Sequence, residues 1–417
     1  MCSAAAGLLA AGCSAGGSTP TSSSSHGATH SASPRPTPTN TAQLAISPAP
    51  DSANVNPAAG ISVTVGRGKL SSVSVHSAGD PVSGTMNSTS TAWHNSGTLD
   101  VATKYTITAT AQDASGTPVT QTSTFSTLTP ASTDQMMIFE GQGDTYGVGM
   151  PIMLTFSQPV VNKAAVERAL QIRTSKAVVG AWYWDGDKAL DFRPQNYWPA
   201  NTTVSFTGHL NGVEVAPGVY GDHTLTQSFK IGASLIVVAS TSSHYMDLYR
   251  GGRLLDRWPI STGRPTLPTP DGTYVTIDKG NPVLMVGPGY REDVPWSVRF
   301  TFSGDYLHDA FWSVAQQGTE NVSHGCVNMP PADAEKYYKM EVPGDPVTIV
   351  GSPRAGTWDD GWTEWFLSWS QLLKGSGIDE AVEAGPQGST FVNPATVTAR
   401  VASSPLGAPK NGNSNST

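Results

Sequence analysis

The chain has 417 residues, with 24 Lys and Arg against 32 Asp and Glu, and its formal net charge is −8. This length predicts several domains, and the low share of charged residues (13%) beside 43 Gly and 31 Pro favours an extracytoplasmic, β-rich protein with linkers. An acidic chain without a basic cluster argues against nucleic-acid binding. No apolar run reaches the roughly 18 residues of a membrane-spanning helix, and three cysteines cannot form a disulfide framework.

Residues 1–13 are predicted to be a targeting segment. A short apolar stretch precedes Gly12-Cys13 and a polar tract, which resembles a bacterial lipobox with Cys13 as the lipidated residue. Leu9 stands four residues before that cysteine rather than three, and no basic region precedes the apolar run. A cleaved secretory signal and an uninformative apolar start are therefore the alternatives. A lipid anchor would hold the protein at the outer face of the plasma membrane.

Two repeated blocks follow a stalk. Residues 14–44 are rich in Ser, Thr, Pro and Gly without periodicity and are predicted to be disordered. In 45–129 and again in 130–232, short alternating runs separated by turn residues predict two immunoglobulin-like β-sandwiches. A loose alignment of 99–107 with 197–205 indicates two copies of one sandwich type. Neither block carries clustered His, Cys or paired carboxylates, so we expect both to act as spacers.

The next segment contains a cysteine and two histidines that could perform nucleophilic chemistry. Cys326 is the one cysteine beyond residue 13, and a free thiol at neutral pH is only a few per cent thiolate, so it needs a base. His324 is two residues away, and alternate residues of a strand share a face. His308 is expected to reach Cys326 across a β-hairpin. Gly325 removes a side chain beside the nucleophile and would let backbone N–H groups approach an oxyanion.

The arrangement of these residues resembles a known signature. After His308 come fourteen residues, 309–322, and then Ser-His-Gly-Cys-Val-Asn at 323–328. A His, fourteen to seventeen residues and Ser/Thr-His-Gly-Cys-apolar-Asn is the pattern of L,D-transpeptidases with a YkuD-type catalytic domain. The resemblance implies a mostly β chain: two immunoglobulin-like domains, a catalytic domain at 233–351 and a short C-terminal helix, as in mycobacterial and related actinobacterial members.

The resemblance also implies a reaction on peptidoglycan. Cys326 would attack the bond after the third residue, diaminopimelate, of a tetrapeptide stem and release D-Ala. The side-chain amine of a neighbouring stem would then attack the thioester and form a 3→3 cross-link. His308 would be the general base, His324 would orient the substrate, and backbone amides around Gly325 and Cys326 would line the oxyanion hole. No metal or organic cofactor is expected, and carbapenem β-lactams are expected to acylate the cysteine.

Several further residues are implied to bind or position the substrate. Tyr290 matches the tyrosine of a lid over the donor channel, and the lid looks short because only 286–289 separate Tyr290 from Met285. Asn328 would lock the loop through hydrogen bonds to backbone, and Ser323 is included in the substrate site. Asp309 stands where relatives often carry Ser, and the backbone carbonyl at this position would orient the imidazole. As a side chain, however, Asp309 is interpreted as a solvated turn residue, like Asp305.

Two alternatives to the transpeptidase reading stay open. An L,D-carboxypeptidase of the same family would use water in place of the acceptor amine, and the sequence does not separate the two. A non-catalytic wall-binding lipoprotein would use the sandwiches as its working surface. A silent descendant of this kind is expected to have lost Cys326 or His308, and both are present.

A tryptophan-rich segment, 352–378, follows the catalytic domain. Its apolar residues recur at spacings of 4, 3, 4 and 3, which predicts one amphipathic helix; they are Trp358, Trp362, Trp365, Trp369 and Leu372. We expect this helix to dock onto the catalytic domain, with stacking on carbohydrate as the alternative. Residues 379–417 return to a Gly, Pro, Ser and Thr composition and are predicted to be disordered.

Overall fold

The computed structural model describes residues 42–77, 81–287 and 290–397. These residues are mostly β-strands and form two sandwiches followed by a third, β-rich domain, which confirms the predicted fold class. Cys13 and nearly all of the predicted stalk lie outside the described residues. Within them, no helix is both long enough and apolar enough to cross a membrane.

The first sandwich begins at the last residues of the predicted stalk. Its elements are β1 (Gln43–Ser47), β2 (Ser52–Val55), a 3₁₀ helix (Pro57–Ala59), β3 (Ser62–Gly66), β4 (Lys69–His76), β5 (Gly84–Met86), β6 (Ala92–Asn95), β7 (Lys104–Gln112) and β8 (Pro118–Thr127). They form two facing sheets with the orders β1-β3-β6-β5 and β2-β8-β7-β4. Along β7, buried and exposed side chains alternate, as expected of a strand with one face on a core.

The second sandwich has a larger aromatic core. Its elements are β9 (Ser132–Asp134), β10 (Met136–Ile138), β11 (Thr145–Tyr146), β12 (Ile152–Phe156), α1 (Lys163–Arg168), β13 (Leu170–Thr174), β14 (Val178–Asp185), β15 (Ala189–Pro194), β16 (Thr202–His209), β17 (Glu214–Ala216), β18 (Val219–Gly221) and β19 (Thr224–Ile231). One sheet contains β10-β12-β15-β14, the other has the order β11-β19-β16-β13, and β17-β18-β9 form a small third sheet. Trp182 contacts Phe192 and Phe206 in the middle.

The two sandwiches share a turn, and the turn residues that correspond in the structure differ by one position from the sequence alignment. Ala102 and Asn201 both have positive φ, 50° and 56°. Their N–H groups donate to Leu128 and Gly232, at 2.7 and 2.8 Å, in the segments where the chain leaves each sandwich. Ala102 therefore corresponds to Asn201, whereas the sequence alignment paired it with Ala200. The left-handed conformation, and not the identity of the alanine, is what the two turns have in common.

The third domain contains a mixed sheet and a smaller sheet that carries the catalytic motif. Its elements are β20 (Leu235–Ser240), β21 (Tyr245–Arg250), β22 (Arg253–Pro259), β23 (Gly272–Val275), β24 (Asp278–Gly280), β25 (Val283–Gly287), β26 (Tyr290–Val294), β27 (Ser297–Arg299), β28 (Tyr306–Asp309), a 3₁₀ helix (Phe311–Ser313), β29 (Val327–Met329), α2 (Pro331–Met340) and β30 (Pro346–Val350). The sheets have the orders β22-β21-β20-β30-β23 and β24-β27-β28-β29, and β25 pairs with β26 in a hairpin.

The tryptophan-rich segment is not the single helix that its spacing predicts. It contains turns, a 3₁₀ helix (Glu364–Phe366) and the short helix α3 (Trp369–Lys374). Ser368 and Gln371 form a capping box that starts α3 afresh. Gly361 has φ +133°, which no continuous helix can accommodate. The regular spacing of the tryptophans therefore does not reflect one helix; it places side chains of separate short turns against the same neighbouring surface.

These tryptophans pack mainly on the second sandwich, so the predicted docking onto the catalytic domain is wrong for them. Trp365 is 4% exposed, and its indole N–H donates to the carbonyl of Gly149 at 2.7 Å. The guanidinium of Arg193 lies 4.4 Å from the ring centroid. Trp362 contacts Phe139 of the same sandwich.

The beginning of the predicted disordered tail is ordered. The elements are β31 (Ala381–Gly385), β32 (Gly388–Val392) and α4 (Pro394–Val397). β31 pairs antiparallel with β14, so this hairpin extends a sheet of the second sandwich. Val382 and Ala384 are buried against that sandwich. Composition predicted disorder because it gives no information on the edge of β14, with which β31 pairs. Residues 398–417 lie outside the described part.

The second sandwich and the third domain are joined closely. The N–H of Gly147 donates to Pro343 at 2.8 Å, and that of Gly149 to Gly344 at 2.9 Å. Val275 of the third domain belongs to the hydrophobic core of the sandwich. The second sandwich is therefore continuous with the catalytic domain and is not a separate spacer.

We predict that Trp365→Ala lowers the free energy of unfolding by about 3–5 kcal/mol, because it leaves a large cavity where the tryptophan-rich segment packs on the second sandwich. Thermal unfolding followed by calorimetry measures the effect. Leu255→Ala is the matched control, since Leu255 is 45% exposed and its loss is expected to change stability by no more than about 0.5 kcal/mol. Equal melting temperatures for the two variants would contradict the packing described here.

Candidate active site

A cavity of about 460 Å³ opens beside the thiol of Cys326. Its lining residues are Met285, Tyr290, Glu292, Val294, His308, Phe311, Trp312, Ser313, Val322, Ser323, His324, Cys326 and Asn328. Most of the residues predicted from the sequence are thus brought to one place. The exceptions are Gly325 and Asp309, which do not line the cavity.

His308 and Cys326 are brought together by a parallel strand pair. β28 pairs with β29 in parallel, with Leu307 opposite Val327 and His308 opposite Asn328. The predicted β-hairpin is therefore wrong, because a hairpin would make the strands antiparallel. The chain between them, 310–326, crosses over and returns to the same end of the sheet. This crossover places the cysteine just before β29, beside the histidine of β28.

Cys326 lies in a bend and not on a strand, so the predicted alternation with His324 does not apply. The hydroxyl of Ser323 donates to the carbonyl of Cys326 at 2.6 Å and accepts the N–H of Gly325 at 3.2 Å. Thr269 donates to the carbonyl of Gly325 at 2.6 Å. Side-chain hydroxyls therefore shape the loop that presents the thiol.

Gly325 is required for a close approach between the loop of Cys326 and the turn that carries Asp305. It has φ +139°, and a Cβ at this position would lie 2.3 Å from Oδ1 of Asp305. Its N–H donates to the hydroxyl of Ser323 in this structure, and the predicted role of this amide in an oxyanion hole stays a prediction. The N–H groups of Tyr306 and of Cys326 itself donate toward the sulfur.

The thiol of Cys326 is held in its protonated form. Burial raises its pKa to about 12, and the nearby carboxylate of Asp305 contributes in the same direction. Hydrogen bonds from the N–H groups of Tyr306 and Cys326 lower the pKa and offset part of this effect. The thiol is directed at the carbonyl of Gly304, with a distance of 3.9 Å from sulfur to oxygen.

His308 is the group best placed to take the proton from this thiol. It is 3% exposed, and its Nδ1 lies 2.7 Å from the backbone carbonyl of Asp309. A carbonyl only accepts, so Nδ1 carries the proton and Nε2 keeps its lone pair. Burial lowers the pKa of His308 to about 4, which leaves the ring neutral at pH 7. The ring of Trp312 stacks on it, with centroids 5.9 Å apart.

The site therefore holds a neutral thiol and a neutral imidazole at rest. An ion pair would cost more in this buried environment, because desolvation disfavours both charged forms. The arrangement can perform general-base chemistry, in which Nε2 of His308 accepts the proton as the sulfur attacks an electrophile. The N–H groups directed at the sulfur would then lie close to the negative charge that forms on the electrophile's oxygen.

The predicted binding residues form the rest of the cavity wall. Tyr290 begins β26 of the lid hairpin, and its ring lies 5.0 Å from that of His324. Met285, on β25, lines the cavity from the same hairpin. Asn328 donates its side-chain amide to the hydroxyl of Ser313 at 2.9 Å, so the expectation of a backbone partner for that amide is wrong.

Asp305 and Asp309 are buried, so the interpretation of both as solvated turn residues is wrong. Asp305 is 8% exposed and Asp309 is 6% exposed. Burial raises the pKa of Asp305 to about 6, despite a hydrogen bond from Thr301 and the favourable charge of Arg354. The sequence Phe-Ser-Gly-Asp at 302–305 reads as a surface turn, and only the fold shows that Gly325 packs against it.

The turn beside the thiol is also contacted by the C-terminal segment. Asp360 accepts hydrogen bonds from the N–H and the hydroxyl of Ser303, at 2.6 and 2.7 Å. Ser303 immediately precedes Gly304, whose carbonyl faces the sulfur. A carboxylate from beyond the catalytic domain therefore helps to hold the turn next to Cys326. No signal in the sequence connects these two segments.

The described residues contain no group of three or more His, Cys, Asp or Glu side chains that could hold a metal ion.

We predict that Asp305→Asn makes Cys326 more reactive above pH 6 and leaves it unchanged at pH 5. Asp305 is ionised only above its pKa of about 6, and its negative charge raises the pKa of the thiol. Removing the charge should raise the rate of alkylation by iodoacetamide at pH 8 by about threefold to tenfold, since one pKa unit is a tenfold change in thiolate fraction. Asp256→Asn, which removes a carboxylate of β22 that is paired with Lys336, is the control. An unchanged profile for Asp305→Asn would exclude this electrostatic coupling.

Comparison with known proteins agrees with this geometry. The model of the L,D-transpeptidase catalytic domain matches residues 234–349, and that of the bacterial Ig domain matches 52–214. The chain is 31% identical over 329 residues to L,D-transpeptidase 2 of Mycobacterium tuberculosis (strain CDC 1551 / Oshkosh), which covers 76% of this chain and 80% of that protein. It is 33% identical over 349 residues to L,D-transpeptidase 5 of M. tuberculosis (strain ATCC 25618 / H37Rv), covering 81% and 77%.

A solved structure of LD transpeptidase LdtMt1 in complex with imipenem is 35% identical, with a TM-score of 0.44, and covers 51% of this chain and 97% of that one. The curated relatives extend over both the sandwich region and the catalytic motif. With more than 30% identity across three quarters of its length, the chain belongs to the L,D-transpeptidase family.

Proposed function

We propose that this protein forms 3→3 cross-links in peptidoglycan through a thioester on Cys326. The observation that carries the proposal is that the thiol of Cys326 lines the same cavity as a neutral imidazole whose Nδ1 is bound to the Asp309 carbonyl. That hydrogen bond leaves Nε2 of His308 as the base. Membership of the family supports peptidoglycan as the substrate and therefore an extracytoplasmic site of action in the cell envelope.

The reaction begins with attack on the donor stem. The sulfur of Cys326 attacks the carbonyl between diaminopimelate and D-Ala, and His308 accepts the thiol proton. The N–H groups of Tyr306 and Cys326 are the candidates to stabilise the oxyanion. When the C–N bond breaks, protonated His308 gives its proton to the leaving amine of D-Ala. The product is a thioester, with the site returned to a neutral imidazole.

The second half uses the amine of a neighbouring stem. His308 accepts a proton from that amine as it attacks the thioester, and it returns the proton to the sulfur of Cys326 when the C–S bond breaks. Tyr290 and Met285, on the lid, and His324 are proposed to position the donor. Phe311 is 63% exposed beside the cavity, which provides apolar surface for an incoming stem. Water in place of the amine would give L,D-carboxypeptidase activity.

The test of the reaction type is mass spectrometry of the products from a soluble tetrapeptide stem, with and without an acceptor amine. Cross-linked dimers that increase with acceptor concentration support the transpeptidase. If only tripeptide and D-Ala form at every acceptor concentration, the carboxypeptidase is the correct function. A chain that leaves the stem intact, with a reactive thiol, would instead support the wall-binding alternative.

We predict that imipenem, a carbapenem, acylates Cys326 and adds its mass to the intact protein. Cys326→Ala should form no adduct, and Cys326→Ser almost none, because the hydroxyl is a far weaker acid than the thiol. His308→Ala should slow acylation by about 10²–10⁴-fold, the usual effect of losing a general base, and His324→Ala should slow it less. His76→Ala, exposed in the first sandwich, is the control. Wild-type rates in folded His308→Ala, or an adduct on Cys326→Ala, would refute the mechanism.

We further propose that Cys13 is lipidated and anchors the chain to the outer face of the plasma membrane. The support is the sequence alone, a short apolar stretch before Gly12-Cys13. Metabolic labelling with a fatty-acid analogue in a bacterial host should label the full chain, and Cys13→Ser should abolish both the label and recovery in the membrane fraction. Labelling that persists in Cys13→Ser would place the modification elsewhere.

A further inference from the structure

One charged side chain at the catalytic motif has no role in the mechanism above. Arg264 lies in the loop between β22 and β23, and its guanidinium Nη1 is 3.0 Å from Nε2 of His324. His324 lines the catalytic cavity together with Cys326. Arg264 is partly buried and its contact with His324 is solvent-exposed, so the guanidinium lies at the edge of the cavity, beside a residue of its wall.

The backbone holds this arginine in a fixed position relative to the nucleophile. The N–H of Arg264 donates to the carbonyl of Ser323 at 3.0 Å, and Gly263 forms a parallel bridge with the same residue. Thr269, in the same loop, accepts the N–H of Gly263 at 2.8 Å and donates to Gly325. The loop of Arg264 and the Ser-His-Gly-Cys motif therefore form one hydrogen-bonded unit.

The contact between Arg264 and His324 determines which ring nitrogen of His324 carries the proton. A guanidinium donates and cannot accept, so Nε2 of His324 is the acceptor and its proton resides on Nδ1. The charge of Arg264 and burial both lower the pKa of His324, so the ring stays neutral. Arg264 thus keeps a full positive charge that His324 does not neutralise.

That charge has no carboxylate partner among the residues that the structure describes. The ion pairs found there involve other cations. One of the five N–H donors of Arg264 binds His324, and the rest are available to a ligand. Glu292 lines the cavity from the lid and disfavours an anion beside it, so the guanidinium next to His324 is the favourable position for a negative group of a ligand.

We propose that Arg264 recognises the free carboxylate at the end of the donor peptide, next to the bond that Cys326 attacks. The proposal rests on the proposed function, because a stem cut before its last residue carries that carboxylate close to the scissile carbonyl. A guanidinium binds a carboxylate through paired N–H donors, so it favours the acid over a neutral end. Arg264 is then a specificity-determining residue for stems that end one residue after the cleavage site.

Two peptides that differ in one charge test this inference. One is a tetrapeptide stem with a free D-Ala carboxylate, and the other carries a C-terminal carboxamide. Calorimetric titration into Cys326→Ala measures their Kd without turnover. The acid should bind about tenfold to a hundredfold more tightly, as expected of a hydrogen bond to a charged group. Adding Arg264→Gln should remove the preference by weakening the acid alone, and Arg264→Lys should restore part of it. Arg253→Gln, exposed on β22, should change neither Kd.

The inference is overturned if Arg264→Gln weakens both peptides equally, because Arg264 would then only position His324. It is also overturned if Cys326→Ala binds acid and amide alike, or binds neither. Turnover of the acid peptide by the parent chain tests the proposed function separately. A preference in Kd without turnover would therefore support carboxylate recognition and refute the transpeptidase. Turnover without a preference in Kd would refute carboxylate recognition and support chemistry on the stem.

Discussion

The short parallel pairing of β28 with β29 is the constraint on which the catalytic site depends. The strands are only four and three residues long, yet their register places His308 opposite Asn328 and so beside the bend that presents Cys326. Both ends of the pair are held: Ser261 exchanges backbone hydrogen bonds with Asn328, and the N–H of Ala310 donates to Met329 at 3.0 Å. A slip of one residue would turn the imidazole to the opposite face of the sheet.

Burial then decides the protonation states that this pairing brings together. Desolvation raises the pKa of Cys326 and lowers that of His308, so the resting pair is neutral. A neutral thiol is a poor nucleophile, and the proton must therefore move during the attack. The carboxyl of Asp305 adds to this bias because it is buried against Gly325, and its ionisation near pH 6 opposes thiolate formation. The thiol of Cys326 is consequently expected to react mainly with an electrophile that is already bound in the cavity.

The pattern from His308 to Asn328 predicts a nucleophile, a base and a carbonyl that orients the base, because its spacing and residue types identify the family; the structure brings Cys326 and His308 to one cavity and places the Asp309 carbonyl 2.7 Å from Nδ1. The errors concern contacts between distant segments. A hairpin was expected because a linker of this length can form one, and nothing local reveals a crossover. Asp305 reads as solvated because its partner, Gly325, is twenty residues away. The segment 379–397 reads as disordered from composition, although the edge of β14 supplies the hydrogen bonds that its own sequence lacks.

The chain after the catalytic domain connects the site to the second sandwich. Asp360 binds the turn next to the thiol, and Trp365, five residues later, is buried in the sandwich. Gly147 of the sandwich in turn donates to the segment before β30. The cavity, the C-terminal segment and the second sandwich are therefore parts of one packed body. A displacement of the sandwich would move the turn that carries Gly304, so loss of the sandwich is expected to affect the nucleophile and not only the reach of the enzyme toward the wall.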